Sequence, residues 1–383
     1  MIYLDNAATT WPKPLCVRET VRQCMDLYGA NPGRGGHAMG MAASREVYRC
    51  RETAASFFHL DNPGHVVFTM NCTMSLNIVI KGLLRYGGHV VVSSLEHNAV
   101  LRPLNALSAS GRVYSVATVV PGDPEETVRN FHRCITPRTK AILCTHASNV
   151  FGFRLPIREI GELAHQMGLL FVVDAAQSAG VLPIDMEADH IDYLCVPGHK
   201  GLYGPMGTGM LLCAPDTPLP TFMEGGTGSQ SLLLEQPEEL PDRFESGTVN
   251  TPGICGLRAG MEWVMNKGID KIGQHEIRLM AALHDRLSEV PGVVLYTPRP
   301  RMEETAPVLS LNVGGLSSEE TAMRLDRMGI AVRPGLHCAP SAHQQMGTLP
   351  DGTVRLAPSA FTNEAQIEKT AYILREIARK PLQ

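Results

Sequence analysis

The chain has 383 residues, which is enough for a large core with a smaller second domain and too many for one small domain. A formal net charge of −4 and an aromatic content of 5% argue against a nucleic-acid-binding surface, since they provide neither a basic patch nor a stacking platform. No stretch approaches the roughly 20 apolar residues of a membrane span, and MIYLDNAATT at the start lacks the features of a secretory signal.

Short apolar segments alternate with amphipathic helical patterns between about residues 64 and 215. The pattern predicts seven strands, at 65–69, 89–94, 112–120, 140–146, 169–176, 192–198 and 207–213. Strands that are almost continuously apolar, separated by helices such as 158–168, predict an α/β fold with a mostly parallel sheet covered on both faces. The last strand follows a glycine-rich loop too short for a helix, so we expect it to run antiparallel.

The pattern changes after a polar loop at about 225–250. One long helix is predicted from about 254 to 290, and a smaller α+β domain follows it. Its strands are predicted at 292–297, 308–313, 329–335 and 353–359, and its helices at 317–329 and 363–378. The sequence SSEE predicts that the first of these helices is capped by Ser317 or Ser318. We therefore predict a large domain over 15–255 and a small domain formed by 1–14 and 256–383.

Ligands of open α/β sheets bind beyond the carboxyl ends of the strands, and residues with reactive or charged side chains collect there. Asp174 ends one strand and Gln177 follows it, and a buried carboxylate needs either a cation or a capping role. His199 and Lys200 follow another strand, among glycines that allow a ligand to approach the backbone. A desolvated lysine can act as a nucleophilic amine, although a solvated lysine is the commoner outcome for a single residue.

Two further strand ends carry polar groups. Asn71, Cys72 and Thr73 open a helix whose N-terminus favours an anion such as phosphate, although an ordinary N-cap has the same appearance. His97 follows a strand in a polar turn, where its ring suits either stacking on a planar cofactor or simple exposure. Taken together, an anion, a lysine, a helix N-terminus and a stacking ring meet the requirements of pyridoxal phosphate.

Cys338 lies in VRPGLHCAP, a polar segment interrupted by proline and glycine. Buried structural cysteines usually lie in apolar runs, so we expect this thiol to be accessible, with Arg333 and His337 lowering its pKa. The segment 338–355 has the composition of a mobile catalytic loop. The ten cysteines include no C-x-x-C pair, which argues against disulfides and a metal site and predicts a reducing, cytoplasmic location.

Seven motifs occur in order along nearly the whole chain: YLDNAATT (3–10), EHNA (96–99), HASNVFG (146–152), VVDAAQSAG (172–180), GHKGLYGP (198–205), FESGTVNT (244–251) and RPGLHC (333–338). This set resembles the class V aminotransferases and, within them, the cysteine desulfurases. The resemblance implies a homodimeric fold-type I enzyme that uses pyridoxal phosphate, with active sites at the subunit interface. It also implies conversion of L-cysteine to L-alanine, with the sulfur passed as a persulfide to an acceptor protein, as in iron–sulfur cluster assembly.

The resemblance implies roles for individual residues. For the cofactor, Lys200 matches the lysine that binds it covalently, Asp174 the partner of the ring nitrogen, Gln177 the contact to the ring oxygen and His97 the stacking ring. The phosphate contacts are matched by Thr73, by His199 and, from the other subunit, by Thr248, and we expect Cys72 to add its backbone N–H. Asn149, Arg333 and Arg355 match substrate-binding groups, with Arg355 taking the carboxylate, and Cys338 matches the nucleophile that receives sulfur.

Two positions depart from the family pattern. Pro197 stands where Ser or Thr is usual, which removes one phosphate-binding hydroxyl, and Asn71 stands where glycine is common. Three alternatives stay open: a selenocysteine lyase or selenium-supplying desulfurase, which uses the same residues; an aminotransferase or epimerase, which needs no loop cysteine; and a binding scaffold that keeps the fold without catalysis.

Overall fold

The computed structural model describes residues 1–33, 36–111, 113–215 and 219–379. The strands are β1 (Ile2–Tyr3), β2 (Val66–Thr69), β3 (His89–Ser93), β4 (Tyr114–Ala117), β5 (Thr139–Thr145), β6 (Leu170–Asp174), β7 (Tyr193–Pro197), β8 (Gly209–Cys213), β9 (Val293–Leu295), β10 (Leu309–Val313), β11 (Ile330–Ala331) and β12 (Val354–Leu356). The helices are α1 (Leu15–Tyr28), α2 (Ala38–Phe58), α3 (Cys72–Leu84), α4 (Asn98–Leu107), α5 (Pro124–Cys134), α6 (Ile157–Gln166), α7 (Thr251–Lys267), α8 (Ile269–Leu287), α9 (Ser318–Arg327), α10 (Pro340–Gln345) and α11 (Glu364–Arg379).

The seven predicted strands of the first part form one sheet, in the order β2-β8-β7-β6-β5-β3-β4. Strands β3 to β7 are parallel, whereas β8 is antiparallel to both β7 and β2, as predicted. Residue 112, the predicted start of β4, lies outside the described residues. The strand ends earlier than predicted because the Val119 N–H donates to Ser94 Oγ at 2.9 Å instead of to a neighbouring strand.

The smaller strands form a separate antiparallel sheet in the order β12-β10-β9, and β1 pairs in parallel with β11. Ile2 and Leu4 join an apolar core formed mainly by α8, β10 and α11, so the first residues pack with the last third of the chain. Ser317 caps α9 by accepting from the Glu320 N–H at 3.0 Å, which decides between the two predicted serines.

The helical stretch predicted over 254–290 is present, but it consists of two helices, α7 and α8, which meet at Gly268. Gly268 has a φ of +87°, a backbone conformation that glycine adopts without steric cost. The segment after Cys338 was predicted as a mobile loop, but it contains the short helix α10, with Ala342 and His343 buried. None of the helices in the described part of the chain combines the length and the apolar character needed to cross a bilayer.

A buried ion pair fastens α2 to the edge of the large sheet. Arg51 donates to both carboxylate oxygens of Glu245, at 2.7 and 2.8 Å, and each side chain is 8% exposed. Arg51 also donates to the Val66 carbonyl, and Glu245 accepts from the Phe68 N–H. The pair therefore connects α2, β2 and the polar loop that precedes α7.

Replacing Glu245 with Gln is expected to lower the free energy of unfolding by about 3 kcal/mol, because it leaves the buried Arg51 charge uncompensated. Glu376→Gln is the matched control, since it breaks the exposed pair with Arg379 and should change stability by less than about 0.5 kcal/mol. Urea unfolding followed by circular dichroism measures both variants. Equal unfolding midpoints for the two would contradict the prediction.

Candidate active site

Asp174 and Lys200 lie at the carboxyl ends of the neighbouring parallel strands β6 and β7, as predicted. Asp174 is 2% exposed, and its Oδ1 accepts from the Ala176 N–H at 2.9 Å and from the Cys72 thiol at 3.4 Å. Only the backbone N–H of Cys72 was expected to contribute to the site, and the contact of its thiol with the carboxylate was not predicted. Burial and the neighbouring carboxylate raise the pKa of Cys72 well above its usual value, which keeps the thiol protonated as a donor.

Lys200 has an environment that favours the uncharged amine. Burial lowers its pKa to about 8, and the positive charge of Arg355 acts in the same direction, whereas Asp174 and Cys72 oppose the shift. The neutral amine is therefore populated close to physiological pH, as nucleophilic attack on an aldehyde requires.

His97 is the N-cap residue of α4, beside this pair. Its Nδ1 accepts from the Ala99 N–H at 3.0 Å, which leaves the proton of the neutral ring on Nε2. Burial lowers the pKa of His97; Asp174 opposes the shift and Lys200 reinforces it, so the three side chains share one electrostatic environment. The ring is therefore uncharged at neutral pH, which suits stacking on a planar group.

The N-terminus of α3 and the His199 side chain provide groups suited to an anion. Asn71 caps α3 by accepting from the Met74 N–H at 2.9 Å, so the residue that replaces the family's glycine has a structural role. Thr73 is exposed in the first turn of α3. His199 Nδ1 is buried and has no hydrogen-bond partner among the described residues, and burial together with Lys200 and Lys13 lowers its pKa to about 4.

Close packing of backbone requires glycine at one position near this turn, opposite Pro197. Pro197 ends β7 opposite Gly209 and brings no hydroxyl group. A Cβ atom at Gly209 would lie 2.7 Å from the Asn71 backbone, so only glycine lets β8 pass beneath the start of α3.

Gln177 and Thr248 occupy different surroundings. Gln177 is half-buried and donates to the Ala7 carbonyl at 3.1 Å. Thr248 is exposed, accepts from Asn31 Nδ2 at 3.4 Å, and lines a surface cavity of about 530 Å³ that also contains Arg51. The structure does not bring Thr248 to Lys200 within one chain, and its predicted contribution to the other subunit stays a prediction.

Arg355 is buried in β12, and only part of its hydrogen-bonding capacity is used by the described residues. Its guanidinium donates to Asp5 Oδ1 at 3.0 Å and to the Asn149 carbonyl at 2.9 Å, while Nε has no partner in the described part of the chain. Arg333 is exposed and pairs with Arg355 through the backbone. Asp5 was missed from sequence, although it belongs to the motif YLDNAATT, because nothing in the motif indicates which side chain it meets.

The Cys338 segment is docked on the N-terminus of α4. The Cys338 carbonyl accepts from the Asn98 N–H at 2.7 Å, and the His337 carbonyl accepts from Asn149 Nδ2 at 2.7 Å. The thiol belongs to an exposed residue, as predicted. His337 and Cys338 have φ angles of +47° and +57°, in the left-handed region that few non-glycine residues adopt. The segment therefore reaches the α4 terminus, immediately after His97, in an uncommon backbone conformation.

His337 does not have the electrostatic role expected of it. It is buried, and its Nε2–H donates to the Thr353 carbonyl at 3.0 Å. Burial and the positive charge of Arg355 lower its pKa to about 3. The ring carries no charge at neutral pH, so His337 places no positive charge beside the Cys338 thiol.

Known proteins with similar sequences identify the family of this chain. The sequence profile of the family described as "Aminotransferase class-V" matches residues 2–369. A Methanothermobacter thermautotrophicus protein named "Probable cysteine desulfurase" is 33% identical, over 98% of this chain and 94% of its own length. An Escherichia coli O8 protein named "Cysteine desulfurase" is 33% identical, over 88% of this chain and 84% of its own length.

A solved structure with a similar fold also belongs to a cysteine desulfurase. The apo structure of a cysteine desulfurase from Thermococcus onnurineus NA1 matches with a TM-score of 0.90 and 32% identity, over 99% of this chain and 94% of that one. The chain belongs to the class-V aminotransferase family and, within it, to the cysteine desulfurases.

Proposed function

We propose that the protein converts L-cysteine to L-alanine with the help of pyridoxal phosphate and receives the sulfur on Cys338. The observation that carries this proposal is the hydrogen bond from the Asn98 N–H to the Cys338 carbonyl, at 2.7 Å. It holds an exposed cysteine at the helix terminus that also carries His97, and His97 shares its electrostatic environment with Lys200 and Asp174. An aminotransferase or epimerase of the same family has no use for a cysteine there.

The donor set fits pyridoxal phosphate. Asp174 is a buried carboxylate with no ion-pair partner among the described residues, and His199 Nδ1 is buried and unpartnered, so one group is suited to a cationic ring nitrogen and the other to an anion. When bound, the cofactor would supply an aldehyde for an amine and an electron-withdrawing ring. The residues proposed to hold it are Lys200, Asp174, Gln177, His97, Cys72, Thr73, His199 and, from a second subunit, Thr248.

Side chains of this protein bind the substrate, move its proton and accept its sulfur. Arg355 binds the substrate carboxylate through its guanidinium, and Asn149 and Arg333 complete the substrate site. Lys200 Nζ accepts the proton from the substrate α-carbon. Cys338 Sγ, as a thiolate, attacks the substrate sulfur, so that an S–S bond forms as the substrate C–S bond breaks. Two protons then complete alanine: one goes to Cβ in place of the sulfur and balances the proton that the Cys338 thiol lost, and Lys200 returns the other to Cα. A persulfide is left on Cys338.

The assembly and location belong to the same proposal. We propose a homodimer, supported by the loop before Thr248, where Leu232 and Leu234 are 98% and 100% exposed and suit burial against a second copy. We propose the division into 15–255 and 1–14 with 256–383, and the separate apolar core formed by Ile2, Leu4 and residues from Leu279 onward supports a second domain. Leu257 and Met261 of α7 pack instead in the core of the large sheet. All ten cysteines are free, which fits a cytoplasmic location and delivery of the sulfur to an acceptor protein there.

The test is an assay of purified protein with pyridoxal phosphate, L-cysteine and a thiol reductant. Equal amounts of alanine and sulfide are expected. A bound cofactor without alanine would indicate another substrate, and a much faster reaction with selenocysteine would identify a selenocysteine lyase. Absence of any cofactor absorption band would favour the non-catalytic scaffold.

The capture of the cofactor is expected to depend on pH with a midpoint near 8. Because the pKa of Lys200 is lowered from 10.5 to about 8, the reactive neutral amine increases up to that pH and then levels off. The rate of covalent attachment, measured by stopped-flow absorbance, should therefore be flat above about pH 9. Nα-acetyl-lysine, the control, has a free ε-amine, and its rate of reaction with the cofactor should still increase above pH 9. A parallel increase for the protein would contradict a lowered pKa of Lys200.

A further inference from the structure

The carbonyl group immediately before Lys200 is surrounded by donors from the N-terminal segment. Lys13 Nζ donates to the His199 carbonyl at 2.6 Å, and the Thr10 N–H donates to it at 3.2 Å. The Thr9 hydroxyl lies 3.1 Å from the same oxygen. A carbonyl has two lone pairs, so the ammonium and the amide are enough to saturate it.

The carbonyl of Lys200 itself is held in the same way. It accepts from the Tyr203 N–H at 2.8 Å and from the Thr10 hydroxyl at 3.0 Å. Thr10 Oγ1 in turn accepts from Lys13 Nζ at 2.7 Å. The carbonyl oxygens on both sides of the Lys200 Cα are thus fixed by one short segment, Thr9–Lys13, which lies nearly 190 residues away in sequence.

Lys13 is unusual because its partners are neutral oxygens. It is half-buried, and it forms no ion pair with any acidic residue in the described ranges. Burial lowers its pKa to about 8. Partly removing a charge from water without a carboxylate partner costs free energy. Lys13 therefore differs from an ordinary surface lysine, and its contact with the His199 carbonyl is its distinguishing feature.

We propose that Lys13 and Thr10 are positioning residues that lock the peptide groups on both sides of Lys200, so that its amine is presented to the aldehyde of the cofactor. This inference rests on the proposed function, since it concerns the covalent capture of pyridoxal phosphate by Lys200. The segment acts on the backbone of Lys200 and takes no part in the chemistry.

The first test compares capture of pyridoxal phosphate by Lys13→Met, Thr10→Val and Thr10→Ser. Total bound cofactor is measured after alkaline release, and covalent capture by borohydride reduction and mass spectrometry of the Lys200 peptide. Lys13→Met and Thr10→Val should slow capture about tenfold, the effect of losing one charge-assisted or buried hydrogen bond, with total binding at saturation unchanged. Thr10→Ser, which keeps the hydroxyl, and Lys369→Met, which changes an exposed lysine of α11, should behave like the wild type.

The second test uses the protein without cofactor. Hydrogen–deuterium exchange of the Lys200 and Gly201 amides should be faster in Lys13→Met and Thr10→Val, while the amides of β5 keep their protection. Wild-type capture and exchange in both variants would overturn the proposal, and so would faster exchange throughout the sheet, which would indicate a general structural role. If the wild type captures no pyridoxal phosphate on Lys200, the proposed function fails, and the exchange result alone decides whether the segment locks this backbone.

Discussion

Lys200→Ala is expected to lower the turnover of L-cysteine by about 10³-fold or more, the range seen when an essential proton-transfer group is lost. The substitution removes both the amine that holds the cofactor and the base that takes the α-proton. The environment of Lys200 favours the uncharged amine that both roles require, because burial lowers the pKa of Lys200 to about 8. Alanine release under saturating pyridoxal phosphate measures the effect.

Lys369→Ala is the control for the Lys200 substitution, because Lys369 is an exposed lysine of α11. It should leave turnover unchanged. A Lys200→Ala protein that retains a tenth of wild-type activity at saturating cofactor would show that another amine does this work, and the proposed assignment would have to be abandoned.

Cys338→Ala is expected to stop release of alanine and sulfide almost completely while cofactor binding persists. The thiol is the only group proposed to accept the substrate sulfur, and serine at this position cannot replace it, because an alkoxide is neither accessible at neutral pH nor able to form a persulfide. In the wild type, mass spectrometry after one turnover without reductant should find one additional sulfur atom on the peptide that contains Cys338.

Cys16→Ala is the matched control, since Cys16 is also exposed but lies in α1. It should keep full activity and show no added sulfur. If Cys338→Ala still produced alanine and sulfide at the wild-type rate, Cys338 would not be the sulfur acceptor, and its proposed role would be wrong.

The large sheet was predictable because its strands are buried on both faces and therefore appear as continuous apolar runs bounded by polar residues. Asp174, Lys200 and His97 were predictable for the same reason, since the carboxyl ends of parallel strands meet at one edge. The break between α7 and α8 was not predictable from the sequence. The apolar spacing continues through Gly268, and only the backbone conformation there separates the two helices.

Contacts between distant segments escaped prediction. Asp5 and Arg355 form an ion pair across 350 residues, and Lys13 reaches the His199 carbonyl across 186. No local pattern of hydrophobicity or capping specifies such partners, because they depend on how the first residues cross from the small core to the large sheet. Helix α10 was missed because it is short and is anchored by a buried contact between His343 and Thr348.

The conformation of the Cys338 segment is a balance of opposing terms. Two consecutive left-handed residues cost about 1–2 kcal/mol each, whereas the two hydrogen bonds that hold the His337 and Cys338 carbonyls contribute about 1 kcal/mol each. The two hydrogen bonds therefore offset much of the backbone cost of this conformation, and the buried His337 and Ala339 side chains add to what holds the segment. A second protein that presents hydrogen-bond donors to these two carbonyls would have to displace Asn98 and Asn149, so the contacts that hold Cys338 at α4 are also the ones that any movement of the thiol must break.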